Sequence, residues 1–138
     1  MRSQVLPPKL KEVFNNGIPR GRNKGFEIAK ELVLYYLAYR ALSDRGDIIS
    51  FSTRNISYFY QRLFCLNESE REALRRFLTY NLKRILDELG VPYTEVNKTG
   101  KYIQYFFKRE ELLKSYRIME QIHYLKALEY VEEVIAHV

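Results

Sequence analysis

A chain of 138 residues, 46% hydrophobic and 29% charged, has the size and balance of one soluble globular domain that needs no disulfide or metal to hold a core. A single cysteine excludes an internal disulfide, no CxxC or His-rich cluster offers a metal site, and no apolar run approaches the roughly 18 residues of a membrane helix. The formal net charge of +6 is unevenly placed: residues 1–24 carry Arg2, Lys9, Lys11, Arg20, Arg22 and Lys24 against Glu12 alone, a one-signed field that draws polyanions.

In chain order, residues 1–24 form a basic N-terminal segment, with Pro7-Pro8, a short amphipathic piece, and Gly17, Pro19 and Gly21 as turn punctuation. Its charges stand where a signal peptide would need an apolar stretch, so the expected setting is intracellular, reducing and cytoplasmic. From Phe26 to about Leu42, Ala29, Val33, Tyr36 and Leu37 recur at helical spacing, and Asp44-Arg45-Gly46-Asp47 closes that helix. Residues 48–51 read as a short extended segment. Ser52 or Thr53 caps a second helix through Ile56, Phe59, Tyr60, Leu63 and Phe64, and Cys65 beside it reads as core packing. Asn67 with Glu70, or Ser69 with Glu72, offers a capping box for a third helix. That helix buries Leu74, Phe77, Leu78, Leu82, Ile85, Leu86 and Leu89, stops at Gly90, and carries Arg75, Arg76, Thr79, Tyr80, Lys83 and Arg84 on its opposite face.

Residues 91–96 and 101–107 are β-rich and flank the turn Asn97-Lys98-Thr99-Gly100, a hairpin signal with Lys98 and Lys101 near its tip. A long last helix is expected from about Glu110 to Ala136, with three basic and six acidic residues. Its apolar residues Tyr116, Met119, Ile122, Leu125, Leu128 and Val131 fall every third position, so the stripe drifts around the helix and its ends pack against different surfaces. The predicted fold is therefore mainly α: one domain over 1–138, with a helical core and a small hairpin in 25–109 and a long helix in 110–138.

Catalysis finds no constellation. Asp44/Asp47 lie in a turn, Asp87/Glu88 and the glutamates lie on helix faces, and His123 and His137 stand 14 residues apart. No Ser/His/Asp grouping or Walker-type loop is present, so the expectation is a noncatalytic protein without cofactor or metal. A phosphate-binding surface reads better. Arg20, Arg22, Asn23 and Lys24 stand just before a helix start, whose amides favour anions. Arg75, Arg76, Lys83 and Arg84 share a helix face with Tyr80, an aromatic able to stack on a base or bond a phosphate.

At these residues a family resemblance enters. Leu6-Pro7-Pro8-Lys9, a short amphipathic piece and Gly21-Arg22-Asn23 together resemble the opening of the C-terminal domain of the archaeal and eukaryotic primase large subunit. Tyr80-Asn81-Leu82-Lys83-Arg84 is similar to that domain's Tyr-x-Ile-Arg-His stretch, and Val91-Pro92-Tyr93-Thr94 sits where the family has Tyr-x-Pro-Pro-Ser-Cys. The likeness spans residues 6–95. Lys9 replaces the first cluster cysteine, none follows Tyr93, and Cys65 alone cannot hold an iron–sulfur cluster. In size and plan the chain resembles the cluster-less third subunit of some crenarchaeal primases (PriX type). The resemblance implies a noncatalytic accessory subunit that binds DNA template and nucleoside triphosphate beside the catalytic small subunit and the large subunit. Arg22, Tyr80, Lys83 and Arg84 would then contact phosphates or template.

Two other readings compete. In one, the second and third helices and the lysine-tipped hairpin form a winged-helix DNA-binding regulator, homodimeric through its last helix. In the other, the apolar last helix docks on a protein partner and the basic residues only solubilise.

Overall fold

The computed structural model describes residues 22–136. Among the described residues eight elements follow one another: α1 (Arg22–Ser43), β1 (Ile48–Phe51), α2 (Thr53–Phe64), α3 (Glu68–Leu89), β2 (Thr94–Lys98), β3 (Tyr102–Lys108), α4 (Arg109–Leu113) and α5 (Tyr116–Ala136). The predicted class is the observed one, mostly helical with a small antiparallel sheet.

α1 is the central helix because it is apolar nearly all round. Phe26, Ala29 and a run of seven residues from Leu32 to Ala38 are buried, which a helix with one wet face cannot do. It packs against α3, α4 and α5. It begins at Arg22 rather than Phe26, so Arg22 and Lys24 belong to its first turn instead of preceding it. At its other end Arg40 grips Asp44 through Nε and Nη2 at 3.1 and 2.8 Å, and also donates to the Tyr36 hydroxyl and the Ser50 carbonyl. One guanidinium thereby joins the end of α1 to β1.

Both proposed caps resolve to one residue. Ser52 caps α2, its hydroxyl accepting from the Asn55 amide while the Asn55 side chain accepts from the Ser52 amide. Asn67 caps α3 reciprocally with Glu70, at 2.8 and 3.0 Å. Between the two helices stand only Cys65, Leu66 and Asn67. Cys65 is not core packing: it closes α2 in the left-handed region at φ 55° and is exposed, and Leu66 takes the buried position instead. Helices commonly end on a residue in the left-handed region, and here the Cys65 amide bonds the Gln61 carbonyl.

The hairpin gains a third strand, because β1 pairs antiparallel with β3 and gives the order β1-β3-β2. Ile49 and Phe51 face inward with Tyr105 and Phe107, and the Phe51 and Phe107 rings stack at 4.9 Å. β2 is an edge strand exposed along its whole length, and its Thr-Glu-Val-Asn-Lys sequence suits an edge that should not recruit another strand. The hairpin turn lies one residue later than expected. Lys98 ends β2, and Thr99 and Gly100 occupy the left-handed region at φ 56° and 70°.

The last helix is two. α4 ends at Leu113, and Ser115 restarts the chain by accepting from the Ile118 amide on its hydroxyl and from the Met119 amide on its carbonyl. The break lets Leu112 and Ile118 both reach the core, whereas Tyr116, expected on the apolar stripe, is 80% exposed. Ile118 and Ile122 are buried, with Met119 and Leu125 packed on the core, and Arg117 pairs with Glu31 of α1 at 3.0 Å.

Three tyrosines wired into this core set a limit at high pH. The Tyr60 hydroxyl, fully buried, donates to the Leu32 carbonyl at 2.5 Å, and burial raises its pKa well above the usual 10. Tyr35 is pushed up to about 12, first by burial and then by Tyr39 and Tyr124, and Tyr36 is raised by burial. A folded pKa above the unfolded one means the neutral form is favoured by folding, so this stability is complete below pH 10 and is lost as pH rises through the folded values, about 12 for Tyr35. Absorbance at 295 nm should show tyrosine ionisation in more than one phase. A second, cooperative step should coincide with loss of helical dichroism. Ionisation of all tyrosines in one phase centred near pH 10 would contradict the arrangement.

Candidate nucleic-acid interface

α3 divides cleanly by periodicity. Leu74, Leu78, Leu82, Ile85, Leu86 and Leu89 lie on the core side, and Arg76, Tyr80, Lys83 and Arg84 lie on the solvent side. Tyr80 is 85% exposed, a position that packing does not explain. Along its length α3 meets three other elements. Thr79 bonds Thr53 of α2 at 3.3 Å, Lys83 pairs with Glu95 of β2 at 2.8 Å, and the Arg84 guanidinium lies 4.2 Å from the centre of the Phe26 ring of α1. The basic face is thus held in register with the helix before it, the hairpin after it and the start of α1.

The cations predicted from sequence do not all have the same freedom. Arg75 departs from the shared face: its Nε and Nη2 bind Glu72 at 3.1 and 3.0 Å, and Arg75 holds the Glu72 carboxyl below its usual range. Lys83 is exposed but paired, and its hydrogen bond to Glu95 raises its pKa. Arg76 and Arg84 have no carboxylate in ion-pair range among the described residues. Arg76 reaches only the Glu72 carbonyl, at 3.5 Å. At the hairpin tip Lys98 and Lys101 are exposed, with the Lys98 ammonium 5.9 Å from the Phe106 ring. Arg20 lies outside the described residues, as do the side chains of Arg22, Asn23 and Lys24, whose backbone forms the first turn of α1.

Sequence reasoning passed over α2, where Arg54 and Arg62 follow the helical spacing of Tyr58 on either side. The Tyr58 ring lies 5.4 Å from the Arg54 guanidinium and 4.5 Å from that of Arg71. The i, i+4 spacing of Arg54, Tyr58 and Arg62 was the available signal. Glu95 was also missed, since its partner lies twelve residues away on another element.

This surface can bind anions and stack on or hydrogen-bond to bases. It brings together no paired carboxylates or nucleophile with a base. Among the described residues no group of three or more His, Cys, Asp or Glu side chains could hold a metal ion, and no helix is long and apolar enough to cross a membrane. The chain matches no family model, no curated protein and no solved structure.

Proposed function

We propose that this protein is a noncatalytic, double-stranded-DNA-binding protein of winged-helix type, with α3 as the helix that enters the major groove and the β2–β3 hairpin as the wing. The observation that carries the reading is connectivity. Helix, strand, helix, three-residue turn, helix and hairpin, with the first strand joined to the far strand of the hairpin, is the order of a winged helix. Such a domain presents the outer face of its third helix to base edges and the hairpin tip to the backbone. Here those surfaces carry Arg76, Tyr80, Lys83 and Arg84, and Lys98 and Lys101. A homodimer through α5 would place two such helices on one duplex.

One contact favours a second reading. Arg84 on Phe26 sets the start of α1, where Arg22 stands, beside the basic half of α3. That proximity is what a primase accessory subunit would need to gather a nucleotide's phosphates on Tyr80, Lys83 and Arg84 beside the start of α1, with the catalytic carboxylates on the small subunit.

Selection from a random duplex library, followed by titration over a range of salt, tests both. A regulator should enrich one motif and bind it roughly 10³-fold or more above random duplex. An accessory primase subunit should show no duplex motif, should bind single strands with a log–log salt slope near −0.7 per phosphate, and should raise primer initiation more than extension. Absence of binding to either form at low salt would overturn both.

A further inference from the structure

A cavity of about 300 Å³ opens between α1, β1 and α2, away from the outer face of α3, with Tyr36, Tyr39, Arg40, Tyr58, Phe59 and Arg62 in its wall. Four aromatic side chains share the wall with the polar Arg40, Ser50, Asn55 and Arg62. Phe59 is the hub, with Tyr36 and Tyr60 meeting it edge-on at 5.1 and 5.0 Å and Tyr39 inclined to it at 4.9 Å. Tyr39 remains 40% exposed, so a ring entering the cavity finds an aromatic surface there. The Tyr58 ring, flanked by the Arg54 and Arg71 guanidinium groups, offers the cavity little free π-face.

The two arginines of the wall differ in kind. Arg40 is spent on Asp44, Tyr36 and the Ser50 carbonyl, and its charge is cancelled by Asp44. Arg62 has no carboxylate in ion-pair range among the described residues and no hydrogen bond that would fix its fork elsewhere. Among the lining residues Arg62 is therefore the guanidinium left to meet an anion, with planar bidentate geometry, beside the aromatic rings.

We propose that this cavity binds a small planar monocarboxylate, its ring against Tyr39 and Phe59 and its carboxylate on Arg62. The volume stands at the lower end of small-molecule sites, which run from about 300 to 1,000 Å³, so it has room for a single ring. A carboxylate is planar and matches the single Arg62 fork with two parallel hydrogen bonds, so one bidentate pair compensates a monoanion in full. The site is independent of the nucleic-acid reading, and its test contains no nucleic acid.

Benzoate, phenol and phenyl phosphate are titrated into the full chain by isothermal calorimetry and by NMR of the Tyr39, Phe59 and Arg62 signals. Benzoate should bind saturably, shift those signals and raise the melting temperature. Phenol should bind at least about tenfold more weakly, since it lacks the charge-assisted bond, and Arg62→Gln should lose benzoate affinity by a similar factor. Benzoate that fails to saturate, equal binding of benzoate and phenol, tighter binding of phenyl phosphate, or unchanged benzoate affinity in Arg62→Gln would each overturn the proposal.

Discussion

Replacing Arg76 and Tyr80 together with alanine is expected to weaken duplex binding by about a hundredfold or more while leaving the fold untouched. Arg76 is the cation of the α3 face least committed within the protein, and Tyr80 is the most exposed aromatic side chain of the described residues. One charge-assisted hydrogen bond is worth about 1.5–3 kcal/mol, and a well-made contact to a base edge discriminates by about 1–3 kcal/mol. Both side chains stand in solvent, so the melting temperature should move by no more than a surface change allows, within about 0.5 kcal/mol. The single substitution Arg76→Ala separates two roles. If Arg76 reads a base, preference at one position of the selected motif relaxes. If it holds a phosphate, affinity falls evenly across sequences and the salt slope drops by about one. A double variant that binds as tightly as the parent would remove α3 from the interface.

Tyr60→Ala should be among the most damaging single changes to stability, at about 3–5 kcal/mol by the scale for large aromatic truncations in a core. The side chain is fully buried, it stacks on Phe64 at 5.8 Å and meets Phe59 edge-on, and its hydroxyl ties α2 to the Leu32 carbonyl of α1. Tyr60→Phe isolates the hydroxyl and should cost about 1 kcal/mol, the net worth of a neutral hydrogen bond. Urea unfolding with both variants measures the two contributions, and a loss below about 1 kcal/mol for Tyr60→Ala would mean that the α1–α2 seam repacks freely.

Local chemistry made much of the helical framework legible before any coordinates. The apolar spacing of α1 and α3, the Asn67–Glu70 capping box and the stop at Gly90 are written within a few residues of one another. What escaped needed partners distant in sequence. β1 is legible as an extended segment over residues 48–51, but its place in the sheet depends on Phe106 and Phe107, more than fifty residues later. The split of the last helix turns on Ser115 serving as a start signal inside an otherwise helical pattern. Tyr116, Cys65 and the exit of Arg75 from the basic face all reflect one difficulty, namely that periodicity assigns sides of a helix without saying which sides are covered. The basic face itself was visible as residue types at helical spacing. Which of its charges are free was not visible, because their counter-charges lie on β2 and one turn away on α3 itself.

The pairing of Lys83 with Glu95 changes what that lysine can contribute thermodynamically. Glu95 acts as a counter-ion covalently built into the chain, and a phosphate arriving at Lys83 must exchange with it instead of with mobile salt. The ions released on binding are those condensed on the nucleic acid, so Lys83 adds to the salt dependence only as far as it leaves Glu95 for a phosphate, and the displaced carboxylate is left behind to be solvated. The interface should accordingly show a shallower salt slope than its basic residues suggest, and Glu95→Gln should steepen it.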